Sequence, residues 1–198
     1  MLNKKSHDTH KVRLYIAIEP PDDVKYSIQQ LQEFINDRTN HLLDTKSYAS
    51  NRLHITVQFI GDVDEWLIPH YETVLKNFTA RIKPFDLTQN MNHATFEFYA
   101  NRVAAFKLTD NEIMQDVVVK LREALAFYSE AQLPFDTTYE HFEAHLSFGR
   151  TRQKNHPFFQ TARIKLPQCQ SFILDRLVLF KRFFQEDNRI EKVDFRLR

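Results

Sequence analysis

Glycine is scarce here: the 198-residue chain holds only two, Gly61 and Gly149. That scarcity excludes the common phosphate cradles. A P-loop or a dinucleotide-binding fingerprint needs several glycines within one short loop, and these two stand in different halves of the chain. Cysteine is scarcer still. The single Cys169 permits no internal disulfide, which fits a reducing compartment, and leaves a Cys-based zinc site without ligands. Between Gln168 and Gln170 it reads as a packing residue. The opening "MLNKKSHDTH" has no apolar core of a secretory signal, and runs such as "LVLF" (177–180) are far too short to span a bilayer. The expectation is a cytoplasmic protein with no membrane segment. Net charge is only +1, so a broad electrostatic grip on long nucleic acid is not indicated, although a local basic pocket is compatible with that total. Phenylalanine is plentiful, with 18 residues, and 42% hydrophobic against 27% charged content is ordinary for a soluble globular chain. That length can bury a core without disulfides or metals.

Patterning along the chain alternates between two periods. "VRLYIAI" (12–18) reads as a half-buried strand with Val12, Leu14, Ile16 and Ile18 on one face. "PPDDVKYSIQQLQEFIND" opens on prolines and aspartates and repeats Val24, Ile28, Leu31 and Ile35 at helical spacing. Residues 52–60 alternate again, and Gly61-Asp62 predicts a closing turn. Residues 64–82 read as a helix interrupted near Pro69, and 85–108 as two or three strands. Asp110 is expected to cap an amphipathic helix with Ile113, Val117, Lys120, Leu121, Ala124 and Leu125 near one face. A polar loop (134–140), a strand (142–148) and a closing hairpin (171–183 with 190–197) complete the pattern. Clustered strands with no linker between them point to an α+β fold with antiparallel sheets: a flexible tail over 1–11 and a single domain over 12–198.

Nine histidines are present, and four have Ser or Thr two positions later: His7, His54, His93 and His145. His7 sits in the charged tail and His93 follows a turn-like "QNMN". His54 and His145 alone sit in strand alternation. Leu53, Ile55, Val57 and Phe59 are expected on one face, with His54, Thr56 and Gln58 on the other; Leu146 and Phe148 oppose His145 and Ser147. In both motifs a glycine follows that would let the strand turn sharply. Either motif alone reads as a core histidine bonded to a neighbouring hydroxyl. Facing each other, they supply two imidazoles that titrate near neutrality, one as acid and one as base, and two hydroxyl donors for the non-bridging oxygens of a phosphodiester. That design requires no metal or other cofactor. Tyr15 points away from Leu14 and Ile16 and reads either as an ordinary packing residue, the first expectation, or as one that faces the same cleft and stacks on a base. "HFEAH" (141–145) fails as a zinc motif, because Phe142 stands where a metalloprotease has its glutamate. His141 reads as a loop or rim residue, and His10, His41, His70 and His156 as surface residues.

"VRLYIAIEPPDDV", "RLHITVQFIGDV" and "HLSFGR" together resemble the two-histidine (2H) phosphoesterases. The branch they most resemble is the RNA 2',3'-cyclic phosphodiesterases, also called 2'-5' RNA ligases. The resemblance runs in element order from Lys11 to about Arg182. It implies two lobes related by an internal pseudo-twofold around a central cleft, each lobe giving one His-x-Thr/Ser motif. His54-Ile55-Thr56 and His145-Leu146-Ser147 match that signature, and Arg150 matches an arginine the bacterial branch often carries after its second motif, where it would clamp phosphate. Ser147 stands where Thr is commoner, and Ala144 where proline often precedes the histidine. The implied activity is metal-independent hydrolysis of a 2',3'-cyclic phosphate, on an RNA end or small nucleotide, to a 2'-phosphate. His145 would be base and His54 acid, and run backwards the site would ligate RNA. The alternatives are a phosphodiesterase for 2'-5'-linked or cyclic signalling oligonucleotides, and a non-catalytic RNA-end binding protein. The expected partners are RNA ends or small cyclic nucleotides and oligonucleotides, bound by a monomer.

Overall fold

The computed structural model describes residues 10–100, 102–129, 134–137, 142–185 and 189–198. The tail residues 1–9, His7, His141 and part of the expected loop (138–140) lie outside the described residues. Strand β1 (Lys11–Ile18) buries Val12, Leu14 and Ile16 and turns Arg13 and Tyr15 to its other face. It begins one residue before the expected start: Lys11 pairs with Asp64, and the His10 carbonyl accepts the Glu65 N–H at 3.0 Å. Helix α1 (Asp22–Thr39) buries Val24, Ile28 and Ile35 of the four residues its periodicity indicated, with Leu31 only partly buried and Gln32 and Thr39 buried beside them. Asp22 and Asp23 suit the positive end of its dipole. It stops at Asn40, whose left-handed backbone (φ 52°) lets its N–H return to the Asn36 carbonyl.

Next come β2 (Leu43–Asp44), 3-10 turns at Lys46–Tyr48 and Ser50–Arg52, and the long β3 (Ile55–Asp64). A third 3-10 turn (Glu65–Leu67) leads into α2 (Ile68–Thr79). Pro69 lies in the first turn of α2, where its missing N–H has no helical partner to lose, so it opens the helix and does not interrupt it. Then follow β4 (Phe85–Asp86), α3 (Thr88–Asn92), β5 (Thr95–Tyr99), β6 (Val103–Lys107) and α4 (Glu112–Ser129). The cap of α4 is Asn111, not Asp110: its side-chain oxygen accepts the Met114 N–H at 2.9 Å. The buried face of α4 is Met114, Val117, Val118, Leu121 and Leu125, while Ile113 is 55% exposed and Lys120 pairs with Asp116 at the surface. The last elements are β7 (His145–Thr151), α5 (Pro157–Thr161), β8 (Ile173–Leu174), β9 (Arg176–Phe183) and β10 (Arg189–Arg196).

One antiparallel sheet runs in the order β10-β9-β1-β3-β7-β6-β5, with β2 on β7, and β4 pairs β8 separately. The two halves of the sheet meet between β3 and β7 through one described residue pair, Ile55 with Leu146. Beyond it the strands diverge, and β2 takes the free edge of β7 through Leu43–Thr151 and Asp44–Arg150. Helices cover one face. The main apolar cluster draws on both halves, including Ile16, Ile55, Tyr71, Phe106, Leu121 and Leu146.

Neither glycine makes the expected turn. Both lie inside strands beside a bulge. Leu14 pairs with Gly61 and Tyr15 with Phe59, which leaves Ile60 extra; Ala104 pairs with Gly149 and Ala105 with Ser147, which leaves Phe148 extra. Gly61 supplies φ +109°, open to glycine and strained for other residues. Gly149 admits a close neighbour: a Cβ there would lie 2.5 Å from Leu43. The second strand therefore spans 145–151 and not 142–148.

Candidate active site

The Ile55–Leu146 pair orients both motifs. Ile55 and Leu146 are fully buried, so the residues on either side of each point to the opposite face of the sheet. His54 and Thr56 flank one, His145 and Ser147 the other. The pairing is antiparallel, so each histidine sits on the side of the other motif's hydroxyl. All six residues singled out in the sequence, Tyr15, His54, Thr56, His145, Ser147 and Arg150, line one cleft of about 630 Å³.

Both imidazoles are held in the same way. His54 Nδ1 lies 2.6 Å from the Arg52 carbonyl, and His145 Nδ1 lies 2.9 Å from the Glu143 carbonyl, each two residues back in the chain. A carbonyl only accepts, so both Nδ1 atoms carry a proton, and Nε2 is the nitrogen left for proton transfer on each ring. Each ring also rests on a tyrosine. Tyr15 lies 4.8 Å from His54 and is stacked in turn on Phe180, while Tyr99 stacks on His145 at 4.3 Å. Burial pushes both phenols up to about 12, in Tyr15 against the pull of Arg182 and Arg52, so both are protonated donors at neutral pH. The Tyr99 hydroxyl is buried and has no hydrogen-bond partner among the described residues. Burial also lowers the pKa of His54; its bond to the Arg52 carbonyl opposes that, while the charges of Lys192 and His145 reinforce it.

The bulges change which residues reach the cleft. An extra residue in β3 near Val57 turns Gln58 inward, against the expected alternation, and brings Phe59 to the cleft wall. Gln58 is 3% exposed and fully used: its amide donates to the Phe59 and Asp136 carbonyls at 2.8 and 2.6 Å and accepts from Arg122. On β7, Gln32 of α1 donates to the carbonyl of the bulged Phe148 at 2.7 Å and to that of Tyr48 at 2.9 Å. It thereby ties the cleft wall at Tyr48 to the bulge that presents Arg150.

Sequence reasoning missed Tyr99, Phe59 and three arginines that also line the cleft, Arg13, Arg52 and Arg182. Tyr99 carried a usable signal: Phe96 and Phe98 pack toward the core, so Glu97 and Tyr99 belong to the other face. His93 lies elsewhere, its ring bonded to the Gln89 carbonyl at the end of α3. A larger open groove, about 820 Å³, runs along α1, but acids and bases mix on its walls and it lacks an opposed histidine pair. Among the described residues, no group of three or more His, Cys, Asp or Glu side chains could hold a metal ion, and no helix is long and apolar enough to cross a membrane.

Residues 20–183 match the family described as the 2'-5' RNA ligase superfamily. The chain belongs to that superfamily. Its fold is shared by E. coli LigT, solved with 3'-AMP (TM-score 0.64, 16% identity, covering 94% of this chain and 98% of LigT) and with phosphate (0.62, 16%, 96% and 99%). It is likewise shared by TT0787 of Thermus thermophilus (0.67, 16%, 94% and 98%). A sequence comparison with curated proteins finds no match. Membership in the superfamily, whose members are phosphoesterases and ligases of the two-histidine type, supports an enzyme. The open antiparallel sheet with helices is the architecture of the LigT-like structures.

Proposed function

We propose that the protein hydrolyses 2',3'-cyclic phosphates on RNA ends or small nucleotides to 2'-phosphates, without a metal. The observation that carries this reading is the matched pair: two imidazoles with the same proton on Nδ1, each beside a hydroxyl, lining one cleft. Water attacks phosphorus and gives its proton to His145 Nε2. The bond from phosphorus to the 3' oxygen breaks, and that oxygen takes the proton of His54 Nε2. The product keeps phosphate on the 2' oxygen and regains a 3' hydroxyl. Thr56 and Ser147 donate to the non-bridging oxygens as charge builds, with the unpartnered Tyr99 hydroxyl as a further donor and Arg150 as a clamp.

Burial opposes the charged form of His54, so an acid there needs help. The negative charge of the phosphodiester supplies it by favouring imidazolium. Binding is then coupled to proton uptake at His54. With the 5' hydroxyl of a second RNA end in place of water, the same proton transfers form a 2'-5' linkage, which is ligation. Support for a nucleotide ligand also comes from LigT, which has been crystallised with 3'-AMP and with phosphate.

The deciding experiment is turnover of adenosine 2',3'-cyclic phosphate and of an RNA with a cyclic-phosphate end, in excess chelator, with 2'-5' oligoadenylate in parallel. Hydrolysis of the cyclic phosphates to 2'-phosphates, unaffected by EDTA, is expected. Activity lost to EDTA and restored by one divalent metal, or cleavage of the 2'-5' oligomer alone, overturns the reading. Calorimetry of phosphate binding in two buffers of different ionisation enthalpy checks the role of His54; no proton uptake near pH 7 would reverse the acid and base.

A further inference from the structure

We propose that Lys192 is a positioning residue for this reaction: with Glu19 it anchors the turn whose carbonyl orients the His54 imidazole. This deepens the phosphodiesterase reading of the cleft and rests on it. The first observation is what holds His54. Its Nδ1 proton goes to the carbonyl of Arg52, in the 3-10 turn Ser50–Arg52. None of the three turn residues is buried, so packing alone does not fix that carbonyl. The turn's own backbone bonds run from the Arg52 N–H to the Ala49 carbonyl at 2.7 Å and from the Leu53 N–H to the Ser50 carbonyl at 3.4 Å. They shape the turn without fastening it to the sheet.

The second observation is the fastening. The Lys192 ammonium donates to the carbonyl of Asn51, the residue before Arg52, and to the carboxylate of Glu19, just past the end of β1. The Glu19 side chain is only 12% exposed and that of Lys192 29%, so water screens this pair less than an open surface pair. Register brings the lysine there. Lys192 stands opposite Phe180, and Phe180 opposite Tyr15, so the three form a row across β10, β9 and β1. The ammonium lies 5.1 Å from the Phe180 ring centre, and that ring in turn lies 5.1 Å from His54. His54 is thus supported at Nδ1 by the turn and along its ring by Phe180, and Lys192 touches both supports. Lys192 is not among the residues that line the cleft, so contact with substrate falls to others.

The third observation separates position from charge. The titratable and charged groups around His54 are Tyr15 of β1, Arg52 of the turn, Glu19, Lys192 of β10 and His145 of β7, with Arg182 and Arg52 acting on Tyr15. Burial is the main cause of the lowered pKa of His54; the charge of Lys192 adds to the lowering and that of Glu19 opposes it. As a charge, then, Lys192 hinders the protonation that an acid at His54 requires. What it contributes to that acid is its bonds and not its field. Removing the ammonium has opposite consequences under the two roles: charge alone predicts faster turnover, and positioning predicts slower.

Lys192→Met keeps the stem over Phe180 and removes the ammonium. Its kcat for adenosine 2',3'-cyclic phosphate is expected to fall on the order of tenfold with KM little changed, the signature of a displaced catalytic group. Lys192→Arg, which keeps the charge and the donors, should restore part of the rate. Nitrogen NMR of the His54 ring reads its position without substrate. The neutral ring of the wild type should carry its proton on Nδ1, and Lys192→Met should move part of the population to the form protonated on Nε2. The midpoint of the His54 titration should rise in the same variant, because a positive charge has gone. Lys192→Gln carries the same expectations and takes the place of the methionine variant if that one does not fold. A kcat equal to or above that of the wild type, a change confined to KM, or an unchanged tautomer overturns the positioning role. A wild type that turns over no cyclic phosphate overturns the phosphodiesterase reading, and the tautomer then decides by itself whether Lys192 positions His54.

Discussion

His54 is more easily protonated in the unfolded chain than in the folded cleft, because burial opposes the charged imidazole. Its folded pKa is lowered, so the native state binds fewer protons than the unfolded state below the ordinary histidine value of about 6.5. The contribution is fully present above that pH and is lost as pH falls through the window below it. Urea midpoints of the wild type should therefore drop from pH 7 to pH 5 more than those of His54→Gln; parallel curves would contradict the burial account. Rate effects should follow the site in a graded series. His54→Ala and His145→Ala should each lose on the order of a hundredfold or more, and the double variant little beyond that, since the pair acts as a unit. Thr56→Ala, Ser147→Ala and Tyr99→Phe should each lose less, on the order of tenfold, as one donor among several. His93→Ala should retain full activity, since its ring is engaged at the end of α3. Activity lost in His93→Ala and kept in His145→Ala would show that the motifs are wrongly paired. The imidazoles and hydroxyls were legible in the sequence because alternation alone reveals a shared face. Tyr99 follows from the alternation of β5, whereas Arg13, Arg52 and Arg182 are hidden in a net charge of +1.

At the scale of strands, the two glycines serve different physical ends within similar bulges, and substitution separates them. Gly149→Ala forces a methyl against Leu43, itself only 3% exposed, and should cost about 1–3 kcal/mol by overpacking. Gly61→Ala meets open space, its nearest contact being 4.0 Å away, and should cost about the same through its φ of +109°. Beyond its own cost, Leu43→Ala should recover part of the first loss when combined with Gly149→Ala and none of the second when combined with Gly61→Ala; chemical denaturation of the three single and two double variants reads this directly. A glycine in a sequence announces freedom or closeness without saying which, so the expected turns were misplaced. Bulges leave no periodic trace either, and one inserted residue was enough to exchange Gln58 and Phe59 between core and cleft. Elements whose periodicity is uninterrupted, β1 and α1, appeared where their apolar spacing put them. The start of α4 moved by one residue, from Asp110 to Asn111, because adjacent Asp and Asn are equally good caps and only geometry chooses between them.

Across the whole molecule, two half-sheets share one apolar cluster yet are joined edge to edge by a single described residue pair, Ile55 with Leu146. The α+β class was legible from clustered strands, whereas the order β10-β9-β1-β3-β7-β6-β5 was not, because sheet neighbours such as β1 and β9 are far apart in sequence and meet only through tertiary packing. The pair that unites the catalytic groups comes from distant parts of the chain, and such contacts pay their loop-closure entropy before they return any stability. Local hairpins such as β5–β6 and β9–β10 can close early, whereas β1–β9 and β3–β7 both wait for distant parts of the chain to meet, so the two imidazoles are still apart when these hairpins form. Secondary structure formed at that stage would carry the two histidines without bringing them together. When denaturant is diluted away, hydrolysis should return later than the far-ultraviolet dichroism of helices and strands. Simultaneous return of both signals would mean that the two halves lock together in the same step that forms them.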